Sequence, residues 1–294
     1  MAYEPPSSAL AFLNAAGHQL RRSIGSVDLW WTCEGPQAGE PLLLIHGLGY
    51  PSDMWYRQIP TLNEAGYRTI RFDNRGVGRT GFDQRGGMYS IEIMSDDAAA
   101  VIEAAGYGEK GVNVMGASLG GLIAQDLTLR YPKLVKTLIL ACTHPGGKHI
   151  APFSQQAKDL LSKRKNLSSV ASAELSVPLI YHLPTTSRHL IDEDIAVRLV
   201  RPTSAEGYTA QLQASIAYEG TYEKLEQIKV PVLLIVGKQD GLLNPENTDV
   251  IAGQLMGNAK SVEVVKLENS SHLFSTDQTK ICNEMIIKFL NQYK

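Results

Sequence analysis

The stretch that decides the fold is VNVMGASLGG, residues 112–121. β-forming residues run into a G-x-S-x-G motif, and apolar residues at helical spacing follow from Leu119 onward. A strand, a sharp turn and a helix in that order place the serine of the motif at the exposed apex of the turn. Gly116 and Gly120 have no Cβ, so neighbouring backbone can pack closely against the turn. The pattern predicts that Ser118 is a nucleophile, whereas an ordinary strand–turn–helix is the plainer interpretation.

Composition narrows the class of protein. Of the 294 residues, 44% are hydrophobic and 20% are charged, as in soluble globular proteins. The formal net charge of −2 favours neither nucleic acid nor an anionic membrane as a partner. Cys33, Cys142 and Cys282 are odd in number and lack C-x-x-C spacing, which predicts no disulfide framework, no metal site and a cytoplasmic location. We expect no secretion signal at the N-terminus and no apolar run that spans a bilayer.

Strand-like and helix-like segments alternate along the chain. This alternation predicts an α/β fold whose mainly parallel sheet is covered by helices on both faces. The interior strands are continuous apolar runs, as expected of strands that are buried on both sides. The predicted strands are 20–24, 27–33, 42–46, 68–73, 112–115, 137–142, 232–237 and 261–267. The predicted helices of this part are 54–65, 91–105, 118–131, 244–256 and 277–293.

The alternation stops between residues 146 and 218. The helical segments predicted there are 157–161, 171–180, 192–200 and 208–217. Because they are inserted after the sixth strand, we expect them to form a cap that lids the pocket, and packing on the core alone is the alternative. The predicted domains are an N-terminal extension at 1–17, a core made of 18–145 and 219–294, and a helical cap at 146–218.

Four motifs carry a resemblance to a known family. They are His46-Gly47-Leu48-Gly49 after the third strand, the DNRGVG run at 73–78 after the fourth, the turn at Ser118, and an acid followed by a histidine near the C-terminus. Over residues 20–293 the chain resembles the α/β-hydrolase superfamily, and within it the serine esterases, enol-lactonases and cofactor-free haloperoxidases. The resemblance implies an α/β-hydrolase fold with a mostly parallel eight-stranded sheet, helices on both faces and a helical lid after the sixth strand. It also implies the order nucleophile, acid, histidine along the chain.

The resemblance assigns the two remaining catalytic roles to Asp240 and His272. Asp240 follows the apolar strand 232–237, at the edge where the catalytic groups of open α/β sheets gather. Its carboxylate would fix the tautomer of the imidazole and stabilise the cation that forms during proton transfer. His272 is the histidine that follows this acid, and it would act as general base toward Ser118.

Other residues near these positions receive different expectations. Glu246 and Asp249 are further acids close to Asp240, but both fall in the following predicted helix. Many relatives have glycine where this chain has Ser271, which leaves the backbone angle before His272 open. His46 is expected to be a structural hydrogen-bonding residue.

A tetrahedral intermediate needs preorganised donors for its oxyanion. The backbone N–H of Leu119 is one candidate, because it lies at a helix N-terminus. The backbone N–H of Leu48 is the other, because Gly47 and Gly49 let its loop bend toward the substrate. The run at 73–78 is expected to be architectural, with its charged side chains holding loops beside the site.

The expected substrate is a small, mainly apolar ester or lactone, cleaved through an acyl-enzyme on Ser118. His144 is expected to line the pocket, and Tyr50, Phe153 and Tyr181 to supply apolar walls, although core packing fits each of the aromatic residues equally. Neither a metal nor an organic cofactor is expected. The expected partner is the small-molecule ester, without nucleic acid or membrane, and both a monomer and a dimer remain open.

Other functions on the same residues also remain open. They are carbon–carbon bond hydrolysis, perhydrolysis and release of N-terminal proline. The last of these requires acids in the cap to hold an ammonium group, and Glu174 and residues 192–194 are available. A ligand receptor that keeps the fold without efficient hydrolysis is the alternative of another class.

Overall fold

The computed structural model describes residues 3–22, 27–82 and 89–294. The described strands form an eight-stranded sheet with the order β1-β2-β4-β3-β5-β6-β7-β8. β2 pairs antiparallel with β1 and β4, and the other neighbouring strands are parallel. The strands are β1 His18–Arg22, β2 Val27–Glu34, β3 Glu40–Ile45, β4 Tyr67–Phe72, β5 Val112–Ala117, β6 Val135–Ala141, β7 Pro231–Gly237 and β8 Ser261–Leu267.

Helices pack on both faces of this sheet. Before β7 they are α1 Ser7–Leu13, α2 Ile59–Glu64, α3 Ile91–Ala104, α4 Leu119–Arg130, α5 Gln155–Lys163, α6 Ser169–Ile180, α7 Arg188–Val200 and α8 Ala205–Ala217. After β7 they are α9 Glu246–Leu255, α10 Phe274–Asp277 and α11 Thr279–Asn291. Within the described ranges, no helix has both the length and the apolar character that crossing a membrane requires.

Strand β3 shows how the two faces are built. Successive side chains of a strand point to opposite faces. Leu43 and Ile45 accordingly join the core that contains α3, α4 and α9, while Leu42 and Leu44 join the core that contains α1, α2 and α11. The apolar run of this strand is therefore buried on both sides, and the predicted α/β fold class is confirmed.

The predicted strands agree with the observed ones to within about two residues at most ends. The first predicted strand, 20–24, corresponds to β1, and residues 23–24 lie outside the described residues. Two predicted helices are wrong in extent. The segment 54–65 is a 3₁₀ helix, Ser52–Arg57, followed by α2, because Pro60 lacks the N–H that a continuous helix would use.

The segment 277–293 is interrupted as well. It is α10 followed by α11, with Gln278 between them at φ −135° and ψ 48°. The short helix α10 directly follows the loop that carries His272, so this interruption helps to shape the site.

The segment between β6 and β7 contains α5–α8, each beginning close to a predicted cap helix. A serine side chain accepts a hydrogen bond from the first turn of every one of them, which satisfies an N–H that the helix itself cannot use. Helices α6 and α7 share a small apolar cluster that includes Val177, Ile180, Tyr181 and Ile195. Leu273, next to His272, joins this cluster and connects the segment to the site.

Candidate active site

Ser118 occupies the turn between β5 and α4. Its backbone has φ 54° and ψ −119°, a conformation that non-glycine residues rarely adopt. A Cβ on Gly120 would collide with the carbonyl oxygen of Ile45, so only glycine lets the start of α4 approach β3 this closely. The strained turn is held from both sides, because the N–H of Ser118 donates to the Ala141 oxygen at 2.9 Å and its carbonyl accepts from the Thr143 hydroxyl at 2.7 Å.

Asp240 and His272 lie side by side at the carboxyl ends of β7 and β8. The distance between Oδ2 of Asp240 and Nδ1 of His272 is 2.8 Å. The other carboxylate oxygen, Oδ1, accepts from the N–H groups of Leu242 and Leu243, each at 2.9 Å. The side chain of Asp240 is fully buried. A buried carboxylate bonded at Nδ1 keeps the proton on that nitrogen, so Nε2 of His272 is left as an acceptor.

The loop before His272 accommodates serine at position 271. The left-handed backbone angle falls on Asn269, with φ 51°, and not on Ser271. The N–H of Ser271 donates to Asp277 at 2.7 Å, and its hydroxyl donates to the Leu179 oxygen at 3.0 Å. The serine thus fixes this loop to α6 and α10, which explains how the chain departs from the glycine of many relatives without distorting His272.

A cavity of about 520 Å³ contains the predicted site residues. Ser118 and His272 line it together with Leu48 and Leu119. Apolar side chains make up most of its remaining wall, namely Trp55, Ile150, Phe153, Leu161, Ile180, Leu212, Ile216, Leu242, Leu243, Leu273 and Phe274. The structure therefore brings the predicted nucleophile, base and oxyanion donors to one space with a mainly apolar surface.

The loop that carries Leu48 approaches the serine closely. A Cβ on Gly47 would lie 3.0 Å from the Cβ of Ser118 and 3.5 Å from its Oγ. The N–H groups of Leu48 and Leu119 have no hydrogen-bond partner among the residues that the structure describes. Two unpaired N–H groups beside a serine suit an incoming oxyanion.

Two neutral histidines border the same cavity. Burial, with smaller contributions from His272 and Arg198, lowers the pKa of His46 to about 3. Burial and the nearby His272 lower the pKa of His144 to about 4. Each ring accepts a backbone hydrogen bond at Nδ1, from Gly47 at 2.8 Å and from Gly146 at 3.1 Å respectively. Both histidines are therefore uncharged at neutral pH, and they contribute neutral rings to the wall of the cavity.

The structure places three of the four predicted pocket residues in the cavity wall. These are His144, Tyr50 and Phe153. The fourth, Tyr181, does not line the cavity, and its assignment is corrected. Its ring is buried in the cluster between α6 and α7, and its hydroxyl donates to Asp194 at 3.1 Å. This hydrogen bond connects the residue that follows α6 to α7.

The motif at 73–78 holds the loops behind the site. Asp73 accepts from the N–H and hydroxyl of Ser52, at 2.8 and 2.7 Å. Arg75 forms a bidentate pair with Asp97, at 2.7 and 2.8 Å. Asn74 donates to the carbonyl oxygen of His46 at 3.2 Å. These contacts fit the architectural expectation for this motif, and they connect it to the loop that carries Leu48.

Sequence reasoning missed Gln211 in α8. Its Oε1 accepts from the N–H of Gly49 at 2.9 Å, and its Nε2 donates to the carbonyl oxygen of Arg75 at 2.9 Å. This side chain is fully buried and joins α8 to two motif loops. The signal in the sequence was a polar glutamine within the predicted helix 208–217, which could have indicated a buried hydrogen-bonding residue.

The acids expected for an ammonium site are all engaged elsewhere. Glu174 and Asp192 pair with Arg188, while Glu193 and Asp194 pair with Arg57. None of the four borders the cavity as far as the structure describes it. Within 3–22, 27–82 and 89–294 there is also no group of three or more His, Cys, Asp or Glu side chains that could hold a metal ion.

This fold and site are those of a hydrolase built on an α/β sheet. The model of the alpha/beta hydrolase fold family matches residues 40–278, and the chain belongs to that family. It is 29% identical over 272 residues to the "Putative carbamate hydrolase RutD" of Azorhizobium caulinodans, covering 91% of this chain and 97% of the relative.

Solved structures support the same fold. A thermophilic esterase from Thermogutta terrifontis superimposes with a TM-score of 0.79 at 22% identity, covering 95% of this chain and 99% of that one. The enol-lactonase from Burkholderia xenovorans superimposes with a TM-score of 0.75 at 21% identity, covering 92% and 99% respectively. At these identities the likeness concerns the fold.

Proposed function

We propose that the chain is a serine hydrolase of carboxylic esters or lactones. The observation that carries the proposal is the 2.8 Å bond between Asp240 and His272 at the cavity that Ser118 lines. Nε2 of His272 takes the proton of the Ser118 hydroxyl, and Oγ attacks the ester carbonyl. The N–H groups of Leu48 and Leu119 bind the oxyanion of the tetrahedral intermediate.

The intermediate then collapses to an acyl-enzyme on Ser118. The C–O bond to the alcohol breaks, and His272 returns its proton to the departing oxygen. Water enters, His272 takes a proton from it, and a second tetrahedral intermediate releases the carboxylic acid and regenerates Ser118. The carboxylate of Asp240 stabilises the imidazolium in each step. With this arrangement no metal or organic cofactor takes part in the proposed reaction.

The wall of the cavity supports a substrate with a mainly apolar body. Phe153, Leu161, Ile180, Leu212 and Ile216 belong to the segment inserted between β6 and β7, and all of them line the cavity. This supports the division into a core at 18–145 and 219–294 and a cap at 146–218 that closes over the substrate, with residues 1–17 as an extension.

An aminopeptidase is less well supported, because the charged side chains of the cavity wall are the cations Lys158 and Arg164 within the described residues. Either cation would repel the ammonium group of such a substrate. The name of the RutD relative makes carbamates a second class of acyl compound to include in the assays. The free cysteines Cys33, Cys142 and Cys282 support the proposed cytoplasmic location.

Turnover of p-nitrophenyl acetate and butyrate tests the proposal. Ser118→Ala should lower kcat by on the order of 10³-fold or more, because the base and the oxyanion donors alone give only residual catalysis. Ser8→Ala, an exposed serine of α1, is the matched control and should keep the wild-type rate. An alkyl phosphonate should add its mass to the peptide that contains Ser118. An active Ser118→Ala variant would remove the nucleophile from the proposal, and a wild type without burst or turnover would favour a ligand receptor.

A further inference from the structure

Arg164 is a buried cation in the wall of the cavity that contains Ser118. It lies directly after α5 and is 6% exposed. Its Nε donates to the hydroxyl of Ser172 at 3.1 Å, and its guanidinium lies 4.7 Å from the centre of the Tyr208 ring. No carboxylate of the described residues pairs with it. The charge of Arg164 is therefore buried without a counter-ion from this part of the chain.

Arg198 is a second cation close to the first. Its guanidinium lies 4.6 Å from the centre of the Tyr50 ring, and Nη1 is 3.5 Å from the Tyr50 hydroxyl. It has no acidic partner in the described ranges either. Arg164 and Arg198 together border a smaller cavity of about 270 Å³, and Arg164 lies in the wall of both cavities. Two like charges thus face one region beside the catalytic space.

Two other buried arginines of the described residues have the acidic partners that Arg164 lacks. Arg71 pairs with Glu34 and Asp53, and Arg75 pairs with Asp97. Burying an unpaired charge is costly, whereas a paired and hydrogen-bonded charge is tolerated.

The cost is visible at Arg164 itself. Burial, and then the neighbouring charge of Arg198, lower the pKa of Arg164 to about 10. The guanidinium remains charged at neutral pH despite this cost. A bound anion in the cavity would offset the cost of burying this charge, because no acidic side chain of the described residues does so.

We propose that Arg164, assisted by Arg198, binds a carboxylate of the substrate, so that the preferred substrate is an ester or lactone that carries a free carboxylate at the far end of an apolar chain. This rests on the proposed function of Ser118. A planar guanidinium binds a carboxylate with two parallel hydrogen bonds. The side chains that contact the Arg164 guanidinium are Ser172 and Tyr208, so no carboxylate of the described residues occupies it. Ser118 and Arg164 line one cavity whose wall is mainly apolar, which suits a hydrocarbon chain that joins the scissile carbonyl to the carboxylate.

A series of simple esters tests this proposal. The charged substrates are the monoethyl esters of glutarate, adipate and suberate, and ethyl hexanoate is the neutral match of monoethyl adipate. Hydrolysis is followed by titration of the released acid at constant pH. The wild type should prefer at least one charged ester over the neutral one. Arg164→Met should lower that preference about 10- to 100-fold, mainly through KM, because the variant loses the charge-assisted hydrogen bonds to the carboxylate.

Matched variants separate this role from general effects of charge. Arg198→Met should lower the preference in the same direction by less. Arg21→Met removes an exposed arginine that pairs with Asp28 in β2, and it should keep the wild-type preference. A wild type that favours no charged ester, or an Arg164→Met variant that keeps the preference, would overturn the proposal.

Binding to an inactive variant distinguishes this proposal from the proposed function. Calorimetric titration of Ser118→Ala with monoethyl adipate should show binding that Ser118→Ala with Arg164→Met loses, and ethyl hexanoate should bind both alike. This result would support the carboxylate site even if no ester were turned over. Absence of binding to Ser118→Ala would refute the site while leaving hydrolysis of neutral esters intact. Tighter binding of phenyl phosphate than of monoethyl adipate would refute the assignment to a carboxylate.

Discussion

Replacing Asp240 by asparagine removes a charge without removing a hydrogen-bonding group. Oδ1 of Asp240 accepts from two backbone N–H groups, those of Leu242 and Leu243. In Asp240→Asn the carbonyl oxygen of the amide must occupy that position, because an NH₂ group there would face two donors. The NH₂ group then takes the position of Oδ2, which lies 2.8 Å from Nδ1 of His272.

That arrangement reverses the tautomer of His272. Nδ1 becomes the acceptor and Nε2 carries the proton, so the imidazole cannot take the proton of Ser118. The lost bond to a charged partner accounts for roughly 1.5–3 kcal/mol. The wrong tautomer adds the remainder of a loss of about 10⁴-fold in kcat, which corresponds to about 5.4 kcal/mol of transition-state stabilisation.

The measurement is kcat on p-nitrophenyl butyrate, with circular dichroism and thermal unfolding to establish that the variant is folded. Both backbone bonds to the side chain persist, so we expect the unfolding temperature to stay close to that of the wild type. Asp249→Asn is the matched control, because Asp249 is an exposed acid of α9 that pairs with Lys266. A folded Asp240→Asn variant that loses less than tenfold would refute the reasoning, and an impaired Asp249→Asn would move the catalytic acid there.

Three further predictions follow from the same contacts. Gly47→Ala should lower kcat/KM about 10- to 100-fold, because its Cβ would lie 3.0 Å from that of Ser118 and displace the reacting groups; wild-type kinetics would contradict this. In the folded protein the pKa values of His46 and His144 are lowered to about 3 and about 4. As the pH falls below about 6.5, these histidines therefore bind protons in the unfolded chain but not in the folded protein. The free energy of unfolding should fall by about 2 kcal/mol for each histidine between pH 7.5 and pH 5. Urea unfolding of His144→Gln should show a smaller loss of unfolding free energy over this pH range than the wild type shows. An equal loss in the two proteins would exclude the burial of His144 as its cause. Dialysis against a chelator should leave ester hydrolysis unchanged, and recovery of a lost rate by zinc alone would show a metal requirement.

The residues that follow strands were the predictable part of the site. Ser118, Asp240 and His272 each come directly after an apolar run or in the loop beyond one, and parallel strands bring their carboxyl ends to one edge. The extents of two helices were wrong, although Pro60 within the segment 54–65 carried the signal for one of them. The sequence therefore predicted the strands, and the site residues that follow them, better than the ends of the helices.

The helices between β6 and β7 were predictable from the sequence, but the surface that they turn toward the cavity was not. Tyr181 and Phe153 are both aromatic residues of that segment, yet only Phe153 borders the cavity. Which side of such a helix faces the cavity depends on how the helices pack on one another, and the hydroxyl of Tyr181 is bonded to Asp194 in the next helix. Arg164 was missed for a related reason, since a sequence shows a charge but not the absence of its partner.

The segment between β6 and β7 is bonded to the loop that carries Leu48. Gln211 accepts from the N–H of Gly49 at 2.9 Å, and the hydroxyl of Thr203 donates to the carbonyl oxygen of Gly49 at 2.9 Å. Both backbone groups of Gly49 are thus bonded to the inserted segment. A displacement of α8 would move this loop and the N–H of Leu48 with it. In the proposed reaction that N–H binds the oxyanion, so the position of α8 would affect the rate through Gly49.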